Sequence, residues 1–216
     1  MQIVDQEYFH IRSLPEKART VSSEADNGMV WDPGFRFCWS GEKLNYFNQH
    51  WNENDFFAQV YEEEGQVDFV TGLMRFLTEP LEFQGQHWQT MLKQADKIVR
   101  SQAMFIRETI FEEVRAKEFP HQPSRLTSLW VSDREGLKPW WNSFKGEKKL
   151  IRLRLNGILF RGDNRFLRIG AFSHQTYREN ARQYWAGIDD DDLSRCEMYE
   201  CLFQGDLEVL EITDSM

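Results

Sequence analysis

Three short stretches carry side chains whose types could do chemistry. EMYECLFQG (197–205) reads as a strand running into a turn, and its alternation sets Glu200 on the same face as Met198 and Leu202. A buried, ionised carboxylate costs several kcal/mol unless something pairs with it. Glu200 is therefore either neutralised by an arginine or lines a cleft where charge is needed. In the latter case it could stabilise a developing positive charge or accept a proton. EYFHI (7–11) is a strand with His10 between Phe9 and Ile11. In SRLTSLWVSD (124–133) a strand ends at a polar Ser-Asp pair and enters a helix. Each residue also has a plain structural reading: Glu200 as half of an ion pair, Trp130 as core, Arg125 as a loop cap, His10 as an ordinary strand histidine.

Several chemistries are excluded. No G-x-G occurs, so neither a dinucleotide fingerprint nor a P-loop is present. HExxH and G-x-S-x-G are absent, and His10, His50, His87, His121 and His174 are scattered without ligand spacing. The run at 189–192 lacks the spacing of a calcium loop and reads as a solvated turn. Cys38, Cys196 and Cys201 form an odd set without CxxC spacing, which argues against a disulfide framework or zinc site. No metal is expected. No apolar run is long enough for a membrane span, and MQIVDQEYFH has no signal-peptide pattern, so a cytoplasmic protein is expected.

Charge is unevenly placed. The 216 residues carry a net charge of −9, yet 134–182 holds twelve Lys/Arg against four Asp/Glu. Residues 183–216 hold ten acids against one arginine. The basic block is either a phosphate-facing surface or a set of solvated faces balanced by acids elsewhere.

A first strand falls at 6–12, and an aromatic strand at 29–40 turns at Asp32-Pro33-Gly34. Residues 44–80 read as helical pieces. Trp88, Met91, Leu92, Ala95, Ile98, Val99, Phe105, Ile106, Ile110, Phe111 and Val114 recur near 3.6 residues, predicting a core-facing helix over 87–118, or two end to end, stopped by Pro120. Strand 126–132, a short helix near 133–144, strands 149–155 and 158–162 about an Asn156-Gly157 turn, and a helix at 175–186 follow. A last hairpin pairs 196–203 with 207–212 across 204–206. The fold class is α+β: one domain over 1–216, with a mostly antiparallel sheet and a helical insertion at about 44–118.

Taken in order, these stretches resemble the ADP-ribosyltransferase superfamily, whose split sheet the fold class would then be. EYFHI resembles its Y-H-x-T first strand, LWVSDREGLKPWW its middle strand and helix, and YECLFQGDLEVLEI its last catalytic motif. The nearest likeness is to DarT-like nucleic-acid-modifying toxins, with GDN (162–164) and Trp185 as looser matches. Trp130 stands where many members carry tyrosine, and no threonine follows His10. The resemblance implies NAD as substrate and Glu200 as the catalytic carboxylate. It assigns cofactor contacts to His10 on the ribose, Trp130 on the nicotinamide, Ser128, and a phosphate-gripping arginine. Arg125 is the candidate for that last role, with Arg12 and Arg36 as rivals. It further implies an intracellular bacterial toxin, a phage-defence type included, with RNA or single-stranded DNA as acceptor and an antitoxin protein as partner. Three other readings stand beside it: a transferase acting on protein, an inactive interaction module with the same fold, and a nucleic-acid binder using 138–168.

Overall fold

The computed structural model describes residues 1–13, 31–39, 69–170, 172–193 and 196–216. The expected strand start at 29–30 and the helical pieces at 44–68 lie outside the described residues. The chain divides into two compact units, 1–45 with 107–216, and 46–106.

In the first unit five antiparallel strands form one sheet: β1 (Gln2–Ser13), β2 (Arg36–Trp39), β3 (Leu129–Val131), β4 (Lys148–Asp163) and β5 (Tyr199–Thr213). Their order is β1-β4-β5-β2, and β3 also pairs β5. Phe9 and Ser132 exchange backbone hydrogen bonds at 2.8 and 2.7 Å, so β3 reaches back to β1 and the sheet closes on itself. Closure removes two of the edges that a flat sheet would expose. The inner face packs Tyr8, Leu129, Val131, Leu153, Leu155, Cys201 and Phe203. The outer face meets the C-terminal part of α2 (Leu81–Glu118), and α4 (His174–Trp185), through Phe111, Val114, Phe160, Leu202, Tyr184 and Trp185. The mixed α/β architecture with an antiparallel sheet agrees with the fold class expected.

Two expected turns are not turns. Asn156-Gly157 and Gln204-Gly205-Asp206 lie inside β4 and β5, where Gly157 faces Gly205. A Cβ on Gly157 would lie 2.3 Å from the Gln204 carbonyl oxygen. One on Gly205, whose φ is +143°, would lie 2.4 Å from that of Asn156. The glycines mark a point where two long strands press together, a signal that in sequence looks like a hairpin tip. Of the run at 189–192, expected as a solvated turn, residues 190–192 fall in a single helical turn, α5 (Asp190–Leu193).

The second unit holds α1 (Phe69–Thr78) and the N-terminal part of α2. The helix expected at 87–118 is one continuous element of 38 residues. Its apolar stripe is buried at Met91, Ile110, Phe111 and Val114, but Trp88, Leu92, Val99, Phe105 and Ile106 are each about half exposed or more. The core expectation thus holds for the C-terminal turns and fails along much of the rest. Periodicity defines a face without saying what covers it.

Because both glycines sit where backbone meets backbone, Gly157→Ala is expected to destabilise the protein by about 1–3 kcal/mol or more. Thermal melting should show this, whereas Gly146→Ala, in open space at φ +80°, should cost less.

Candidate functional site

Glu200 lies on the outer face of β5, between Tyr199 and Cys201 on the inner one, and only 6% of its surface is exposed. Arg125, from the segment entering β3, forms an ion pair with it. The Tyr184 hydroxyl of α4 donates to it at 2.5 Å. Arg125 also reaches Glu108 of α2 at 2.8 Å and Tyr184 at 2.9 Å. Arg107 pairs with Glu108 at 2.5 Å and donates to the Leu167 carbonyl. Two arginines and two carboxylates thus make a neutral, buried quartet.

Burial would raise the Glu108 carboxyl, but Arg125 and Arg107 outweigh it and hold the group below its ordinary value. Burial would lower Arg125, yet Glu108 and Tyr184 keep it raised. Burial, with Glu108, raises the Tyr184 phenol despite Arg125, keeping it a donor. This is the paired alternative for Glu200: its carboxylate is buried against Arg125 and Tyr184.

The other expected contacts are dispersed. Alternation along β1 puts His10 on the inner side with Tyr8, and its ring stacks on Trp31 at 5.1 Å. Its Nδ1 meets the Trp130 carbonyl oxygen at 2.8 Å. Its imidazole and the Glu200 carboxylate therefore occupy opposite faces of the sheet. Trp130 is half-buried at the edge of the outer cluster. Ser128 is buried and donates to the Ser124 carbonyl at 2.5 Å. Arg36 is exposed and pairs with Glu208 at 2.7 Å, and Arg12 lies near the end of β1. The structure brings Arg125 to Glu200 and leaves His10 and Ser128 in separate surroundings.

A second polar group on the inner face was missed in the sequence. Phe9 faces Ser132 and Val131 faces Cys201, so Tyr8, Asp133 and Tyr199 stand abreast. Tyr199 donates to Asp133 at 2.5 Å, and the Gly136 amide donates to the same oxygen at 2.8 Å. Arg161 lies 3.3 Å from the Tyr8 hydroxyl and 3.6 Å from Asp133. Burial and then Asp133 raise the Tyr199 phenol and push the Cys201 thiol up to about 12. At neutral pH the group supplies hydrogen-bond donors and a cation but no thiolate nucleophile. The signal was available: the neighbours of an outward residue on a strand point inward.

The basic block is largely neutralised. Lys149, Arg152, Arg154, Arg161, Arg165, Arg178 and Arg182 each have a carboxylate within 4 Å, several from β1, α2 and β5. Arg134, Lys138, Lys145, Lys148 and Arg168 have no acidic partner among the described residues. Among those residues no group could hold a metal, and no helix is long and apolar enough to cross a membrane.

The model of a family of proteins of unknown function, DUF2441, matches residues 8–215, and the chain belongs to that family. No curated protein matches.

The quartet makes stability acid-sensitive. A carboxyl held below its ordinary value contributes stability above its unfolded-state pKa, and this is lost as pH falls through the folded value. The melting temperature should fall as pH drops below about 4.5, the ordinary value for Glu108. Glu108→Gln should flatten that fall. Arg125→Met, which leaves two buried carboxylates facing one arginine, should cost about 3–5 kcal/mol in denaturant unfolding at pH 7.

Proposed function

We propose that this chain is a binding module in which Glu200 is structural. The observation that carries this reading is the closed quartet. Glu200 is enclosed by Arg125, Tyr184 and the sheet, with His10 on the other face. A carboxylate that stabilises charge on a departing sugar must touch that sugar. In this arrangement its partners are a guanidinium and a phenol. The module reading keeps the transferase-like fold that the motif order implies and drops the chemistry.

A second reading is an NAD-dependent mono-ADP-ribosyltransferase, a toxin acting on RNA or single-stranded DNA and restrained by an antitoxin protein. What favours it is placement. The three segments that resemble that superfamily lie on β1, β3 and β5, each hydrogen-bonded to the next. Arg125, the candidate for the phosphates of NAD, touches Glu200. For catalysis the arginine would have to exchange Glu200 for the pyrophosphate, opening the quartet and freeing the carboxylate.

One experiment separates the two. The protein and its Glu200→Gln variant are incubated with labelled NAD and separate RNA, single-stranded DNA and protein pools, and both are melted. The module reading expects no transfer to any pool, no rise in melting temperature with NAD, and a variant destabilised by about 3–5 kcal/mol. Label transferred by wild type and lost in a variant that melts normally would establish the transferase instead.

A further inference from the structure

Of the five basic residues in 134–182 that lack an acidic partner among the described residues, four lie close together in sequence: Lys138 is in α3 (Leu137–Ser143), the short helix after β3, and Arg134, Lys145 and Lys148 flank it. Residues 134–149 carry five basic side chains against Glu135 and Glu147 in a protein of net charge −9. Arg134, Lys138 and Lys145 are exposed.

Aromatic side chains lie among them. Trp140 turns inward and donates its indole N–H to the Tyr199 carbonyl at 2.6 Å, which anchors the helix to β5. Lys138 and Trp141, three residues apart, share the opposite side. Trp141 is half-buried and Phe144 is 37% exposed. Lys148 closes the turn: its ammonium lies 4.5 Å from the Trp141 ring centroid and donates to the carbonyls of Trp141 and Phe144. A lysine on the last carbonyls of a helix satisfies acceptors that have no partner within it. Lys148 thereby holds Phe144 and Lys145 at the surface in a fixed turn.

We infer that α3 and the turn after it form a docking surface for single-stranded nucleic acid, with Arg134, Lys138 and Lys145 on phosphates and Phe144, beside Trp141, against a base. Lysines around one exposed and one half-buried aromatic ring match a strand that offers both anionic phosphates and unstacked base faces. An acidic peptide would match the lysines alone. The inference names a partner for the proposed module, but it rests on the charge pairing and the aromatic placement and requires no transferase chemistry.

The test is fluorescence anisotropy with labelled single-stranded oligonucleotides, without NAD, between 50 and 200 mM salt. Wild type should bind with a salt dependence that weakens in Lys138→Ala/Lys145→Ala, the slope of log K against log salt dropping by roughly 1.4 for two lost phosphate contacts. Phe144→Ala should weaken binding by roughly 5- to 100-fold and leave the slope unchanged, as loss of base stacking requires. Arg182→Ala, which removes a residue paired with Glu118, should bind as wild type does. No binding to any oligonucleotide, equal binding to polyglutamate, or equal loss in the Arg182 control would overturn the inference. Because NAD is absent, failure here is distinct from failure of either reading of Glu200.

Discussion

The interaction on which the first unit depends most is the buried pairing of Arg107, Glu108, Arg125 and Glu200. No helix or strand contributes all of it. Two members come from α2, one from the segment entering β3, one from β5, and α4 adds the Tyr184 hydroxyl. Each charge alone would destabilise the interior by several kcal/mol. Together they sum to zero, and each carboxylate meets an arginine. Such a network is weak as a source of net stability and strong as a selector of arrangement, because sliding any element leaves a buried charge exposed to apolar surroundings. Among the surrounding contacts, Leu202 and Phe160 of the sheet meet Phe111, Tyr184 and Trp185 of the helices, and Gly162 leaves room for the Tyr184 ring.

The same sheet meets a second constraint at Gly157 and Gly205. β4 and β5 run antiparallel for over a dozen residues, and long ladders twist and bend. Where the backbones press together no Cβ fits, so the strands need glycine at facing positions. That close approach lies beside the segment of β5 that β2 and β3 pair on its other edge. Closure of the sheet through Phe9 and Ser132 and the pinch at the glycines are two aspects of one curved surface. The closure sets Asp133 beside Tyr8 on the inner face, where Tyr199 and the Gly136 amide fix it.

What could be read from the sequence follows the range of the information. Strand positions, the long helix, the α4 helix and the antiparallel class rest on local periodicity, and those elements are present. The question raised by Glu200 was also legible: an acid on an apolar strand face needs an arginine, and Arg125, 75 positions away, supplies it. Local signals misled where tertiary context decides. Asn156-Gly157 has the chemistry of a tight turn, and nothing nearby in sequence shows that it faces Gly205. The stripe on α2 has the period of a core helix, but coverage of that stripe depends on distant segments. The charge of 134–182 left two readings open, a phosphate-facing surface or faces balanced by acids elsewhere, and the acids that balance much of it, Glu7, Glu113, Glu118, Glu208 and Glu211, lie outside the block.

Motif order and side-chain direction are different kinds of evidence, and this chain separates them. Order places EYFHI, LWVS and YECL in the sequence, and the fold sets their strands side by side. Direction is governed by the two-residue period of each strand, so a slip of one position moves a side chain to the other face. His10 with Tyr8, and Cys201 with Tyr199, belong to the inner row. Glu200 and Leu202 belong to the outer row. A shared catalytic cleft would require the imidazole and the carboxylate to fall in one row. The register that puts Phe9 opposite Ser132 and Val131 opposite Cys201 puts them in two. The physical case about Glu200 therefore turns on its arginine, and the chemistry open to it is set by whether any ligand can draw Arg125 away.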